Sequence, residues 1–66
     1  MIYVNGEPAA HDGCTIAELV VRLGLPASVR GVAIAVDGEV VSRGMWDLTR
    51  LEPGARVEIV KAVQGG

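Results

Sequence analysis

Two dipeptides, Asn5-Gly6 and Asp37-Gly38, constrain the fold of this chain more than any other feature. Both suit the positive backbone angles of a two-residue hairpin turn, and each follows a run of strand-forming residues: "MIYV" before the first, "VAIAV" before the second. Each therefore predicts an antiparallel strand pair. Pro8, just past the first turn, has no N–H to give to a ladder, so its strand is expected at a sheet edge.

One helical segment lies between the hairpins. Thr15 and Glu18 have the spacing of a capping box, which predicts a helix from about Ile16. Ile16, Leu19, Val20 and Leu23 recur at i, i+3, i+4 and i+7 as one apolar stripe, with Glu18 and Arg22 paired on the opposite face. Gly24 is placed to stop the helix at C′, with Pro26 just beyond. In the second hairpin Val32, Ile34 and Val36 alternate with Ala33 and Ala35, so the bulky side is expected to face the helix. "GMWDLTRLEPGA" has mixed periodicity and reads as irregular, with one helical turn near Trp46 to Leu48 and a chain reversal at Glu52-Pro53-Gly54. "RVEIVKAV" reads as a last strand, Val57 and Ile59 facing in and Arg56 and Glu58 facing out.

A chain ordered strand, strand, helix, strand, strand, strand has one stripe to bury. An α+β fold satisfies it: a mixed sheet of four to five strands with one helix packed across one face. The first and last strands then lie side by side and parallel in the middle. This is the β-grasp, or ubiquitin-like, arrangement. The expected division is a domain over residues 1–63 and a flexible tail over 64–66.

Composition excludes several classes of function. Sixty-six residues make one domain, which buries about 60% of its unfolded surface. No apolar run approaches the ~18 residues of a membrane span, and Met1 leads straight into "IYV" with no targeting segment, so a soluble cytoplasmic protein is expected. One cysteine and one histidine support neither an internal disulfide nor a structural zinc site. A net charge of -2, scattered basic residues and a single Tyr and Trp disfavour nucleic-acid binding.

No pair of positioned titratable groups supports an enzyme, since His11 and Asp12 have no serine or second cysteine argued to stand beside them. Cys14 precedes the helix, where the N-terminal dipole can lower a thiol's pKa and allow it to carry a persulfide; its ordinary role is a small packing residue. Trp46 is expected to cover the end of the core with its indole N–H on a partner. Arg43, just before it, is read by default as a solvated surface residue, the alternative being a place on the binding face.

The final residues, "AVQGG", need a different account. Two glycines directly after a strand cost backbone entropy and add nothing to a core, so folding gives no reason for them. Taken with the stretch before it, "GVAIAVDGEVVSRGMWDLTRLEPGARVEIVKAVQGG", this ending resembles the ThiS-type sulfur carrier proteins of thiamine biosynthesis. The shared features run in register: a small-residue strand with a short hairpin, a Val-Ser-Arg segment before a Trp, a Pro-Gly turn, the "VEIV" strand and the terminal "AVQGG". The chain departs from the common pattern at Ala55, usually acidic, and at Ser42, often proline.

The resemblance implies a carrier, not an enzyme, with no bound cofactor or metal. It makes the Gly66 carboxylate the working group. A ThiF-type adenylyltransferase would activate it with ATP and Mg²⁺, a persulfide supplied by a cysteine desulfurase would convert it to a thiocarboxylate, and a ThiG-type thiazole synthase would consume the sulfur. Gly65 and Gly66 lack Cβ atoms and so leave the carbonyl open and the backbone thin enough to thread a narrow channel. With Gln64 they reach roughly 10 Å beyond the body. Tyr3, Val60 and Ala62, on the sheet face away from the helix, are the expected docking patch beside the tail. Rival readings keep the fold: a carrier for a molybdopterin-type pathway, a ubiquitin-like protein modifier, or a non-catalytic interaction module.

Overall fold

The structure, a computed structural model, describes residues 1–25 and 31–61. Along the chain run β1 (Ile2–Val4), β2 (Glu7–Ala9), α1 (Ile16–Arg22), β3 (Val32–Val36), β4 (Glu39–Val41), a 3-10 turn at Arg43–Met45 and β5 (Arg56–Lys61). Both tight turns form as expected, with φ of 50° at Asn5 and Asp37 and of 85° and 87° at the glycines that follow. Asp37 also fastens its hairpin to the last strand: its N–H donates to the Arg56 carbonyl at 2.8 Å and its carboxylate accepts from the Arg56 N–H at 3.0 Å.

The helix is closed at both ends by local chemistry. The Glu18 N–H donates to Thr15 Oγ1 at 3.2 Å, and the Thr15 N–H donates to Glu18 Oε1 at 2.8 Å, so the capping box is complete. The Thr15 backbone N–H, helped by its hydroxyl, holds the Glu18 carboxyl below its ordinary 4.5, with a smaller pull from Arg22. At the other end Gly24 takes a φ of 76°. Its N–H donates to the Val21 carbonyl, and the Leu25 N–H donates to that of Val20, each at 3.0 Å. This pair of bonds is the Schellman closure that a glycine at C′ allows.

The five strands form one sheet in the order β2-β1-β5-β3-β4. β5 is central, parallel to β1 and antiparallel to β3. Pro8 lies on the edge strand β2, opposite Tyr3, where its missing N–H is harmless. Ile16, Leu19 and Val20 of the helix stripe are buried with Ile2, Ile34, Leu51 and Val57 beneath them. Leu23 departs from expectation: it is 39% exposed. It is the C-cap residue, where the chain already turns away from the sheet.

The loop after β4 also differs from the sequence reading. Its helical turn begins at Arg43, three residues early, with the Met45 N–H on the Ser42 carbonyl and the Trp46 N–H on that of Arg43. A turn with three residues per repeat leaves no 3.6-residue signature in the sequence. Trp46, 7% exposed, closes one end of the core, with its indole N–H on the Val41 carbonyl at 3.0 Å. The Arg43 guanidinium lies 4.9 Å from its ring centroid. Farther on, residues 49–51 strap the helix entrance: Ile16 N–H to Thr49 O, Gly13 N–H to Leu51 O and Leu51 N–H to Cys14 O. Cys14 is buried at 4% beneath that strap, which fits a packing role.

Two stability predictions follow. Leu19→Ala, which empties a fully buried site, is expected to destabilise by about 2–5 kcal/mol in urea titration. Because Glu18 is more acidic folded than unfolded, the stability it contributes is present above its ordinary 4.5 and is lost as pH falls through the folded value. Glu18→Gln, followed by melting temperature against pH, is expected to show a shallower acid-side decline than wild type.

Candidate docking face at the end of the central strand

β5, the last described strand, runs through the middle of the sheet. On its helix side Val57 is buried and Ile59 half-buried; on the other, Arg56, Glu58 and Val60 are exposed. Residues that share this open face follow from the register. Pro8, Tyr3 and Arg56 form one row across β2, β1 and β5. Glu58, Ala35 and Val40 form a second across β5, β3 and β4, and Val60 with Ala33 a third.

The expected docking residues are therefore distributed along the strand. Val60, 58% exposed, stands one position before the last described residue, Lys61. Tyr3, 40% exposed, shares the face but is level with Arg56, four positions earlier on β5. At the ~3.3 Å rise of a parallel strand this separates the two side chains by roughly 13 Å along the strand direction. Tyr3 instead borders a hollow lined by Asn5, Gly6, Arg56, Val57 and Glu58. The remaining residues assigned from the sequence, Ala62, Gln64, Gly65 and Gly66, lie outside the described residues.

Val60 has different apolar neighbours. Ala33 is beside it, and Ala35 and the 76%-exposed Val40 continue an apolar strip toward the β4 edge. Alanine at two successive outward positions of β3 keeps this strip low, so a partner surface can approach the sheet closely there. The small-large alternation of β3 carried that signal in the sequence; the place of Val40 required the β3–β4 register.

Among the described residues, no group of three or more His, Cys, Asp or Glu could hold a metal ion. None of the described helices is long and apolar enough to cross a membrane. Against known proteins, the ThiS family model matches residues 2–66. The chain belongs to the ThiS family.

Solved ThiS structures agree with this assignment. The crystal structure of the thiamine biosynthesis protein ThiS from Geobacter metallireducens is 29% identical, with a TM-score of 0.80 over 98% of this chain and 97% of that one. A solution structure of a thiamine biosynthesis protein from the same organism is 32% identical, with a TM-score of 0.74 over 98% of this chain and 86% of that one. No curated protein matches significantly. ThiS membership makes the chain a ThiS-type sulfur carrier with the β-grasp fold.

Because Val60 and Val40 are exposed, Val60→Asp and Val40→Asp are expected to lower unfolding stability by no more than about 1 kcal/mol, the span of strand propensities. Urea midpoints of the two variants check this.

Proposed function

We propose that Gly66 carries the sulfur. The reading rests on one observation above all: the ThiS family match runs to residue 66, through the Gly65-Gly66 pair that follows the central strand. In this reading the Gly66 carboxylate attacks the α-phosphorus of Mg²⁺-bound ATP on a ThiF-type adenylyltransferase, forming an acyl-adenylate and releasing pyrophosphate. Activation is needed because the free carboxylate has no good leaving group. The reaction requires oxygen and phosphorus to be held about 3–3.5 Å apart, which the partner supplies by positioning. The terminal sulfur of a cysteine desulfurase-derived persulfide then attacks the acyl carbon and displaces AMP, giving an acyl disulfide; a second thiol attacks the partner-side sulfur of that bond, is oxidised to a disulfide, and releases the terminal thiocarboxylate. A ThiG-type thiazole synthase takes that sulfur into the thiamine thiazole ring.

The chain's own contribution is delivery. Gln64, Gly65 and Gly66 enter the partner, and the absence of Cβ atoms on the glycines keeps the entering backbone thin. Ordering such a tail opposes binding, so affinity must come from a surface next to it. The Val60–Ala33–Ala35–Val40 strip lies beside the last described residue and is the better placed half of the open face; Tyr3 marks its far end.

Intact mass after incubation with ATP, the adenylating enzyme and a desulfurase tests the reading. The expected product has one sulfur in place of one oxygen, and deletion of Gly66 abolishes it. A carrier that gains sulfur without Gly66 would refute the proposal. Val60→Asp is expected to weaken binding to the adenylating enzyme about tenfold, as loss of one interface contact worth about 1.4 kcal/mol does; titration calorimetry measures it.

A further inference from the structure

β1 ends as a strand at Val4, yet its hydrogen bonding to β5 continues. The Asn5 N–H donates to the Val57 carbonyl at 2.9 Å, the last bond of the backbone ladder on that side. Beyond it the chain turns away through Gly6. The Asn5 side chain then takes over: its Oδ1 accepts from the Ile59 N–H at 2.8 Å and its Nδ2 donates to the Ile59 carbonyl at 3.4 Å. One carboxamide thus stands in for the peptide groups of a missing strand residue, supplying one acceptor and one donor. Asparagine suits this place twice over, since it tolerates the left-handed backbone of the turn, φ 50°, and carries both groups.

Ile59 is the last position at which β5 is held from the β1 side by these bonds, whereas β3 pairs with β5 as far as Lys61. The direction in which the central strand leaves the body is therefore set by β3 on one flank and by the Asn5 side chain on the other. We infer that Asn5 is a positioning residue for the carboxyl end: its carboxamide fixes the exit of β5 and so lowers the ordering that a partner must impose on the tail. This inference rests on the reading that Gly66 is the reacting group. Its role goes beyond making a turn, because glycine makes the same turn with no carboxamide.

Asn5→Gly separates the two roles, and Asn5→Asp retains the acceptor while removing the donor. Amide hydrogen exchange of the full chain is expected to speed up at Ile59 by about tenfold in Asn5→Gly, the worth of one hydrogen bond, with the core amide of Ile34 unchanged relative to global stability. In adenylation assays on the folded variants, KM for the carrier is expected to rise about three- to tenfold with kcat unchanged, since ordering is met at binding. Asn5→Asp is expected to fall between Asn5→Gly and wild type. Unchanged exchange at Ile59 overturns the clamp. Faster exchange with KM and kcat both at wild-type values overturns the positioning role. A wild-type chain that takes no sulfur refutes the reading of Gly66 and the positioning role with it, whereas a charged wild type with an indistinguishable Asn5→Gly refutes the positioning role alone.

Discussion

A single helix of seven residues can cover only one face of a five-stranded sheet, and the rest of this structure follows from that limit. Ile16, Leu19 and Val20 supply the covering stripe, and the sheet answers with Ile2, Ile34 and Val57. The largest side chains of β1, β3 and β5 that are fully buried, Ile2, Ile34 and Val57, therefore all point to that one side. On the opposite side small or charged residues are compatible with water, which is where Ala33, Ala35, Arg56 and Glu58 stand. The uncovered face is thus a necessary by-product of a small core, and a carrier that must meet partners can use it without weakening its interior.

The last described strand, β5, holds the centre of the sheet. β5 is flanked by parallel β1 and antiparallel β3. Side chains complete what the backbone cannot: Asp37 secures the start of β5 at Arg56, and Asn5 secures it again at Ile59. Both are the first residue of a tight turn, with φ of 50°. Turn residues suited to the backbone geometry therefore also bond to the central strand.

Local signals were well legible. The capping box, the Schellman glycine, both hairpin turns and the edge placement of Pro8 depend on residues within a few positions of one another. The β-grasp order and the ThiS resemblance were also readable, because they depend on the succession of elements. What the sequence did not disclose was non-local. That Tyr3 lies level with Arg56 rather than beside Val60 is a property of the β1–β5 register, which no local pattern specifies. The bonds from Asn5 to Ile59 span 54 positions and involve a side chain whose residue type already had a sufficient local explanation. The 3-10 turn at Arg43 was displaced from its expected place because its period leaves little trace.

The pairing of β1 with β5 also has a consequence for how the protein is made. Of the described strands β1 is the first to leave the ribosome, and its parallel neighbour is the last to follow. Until then β1 has its own hairpin partner but no central strand, and Ile2 has no Val57 to pack near. Contacts so far apart in sequence slow folding. The nascent chain must therefore stay unaggregated while its sheet lacks a middle, and the edge-guarding Pro8 is already in place during that interval.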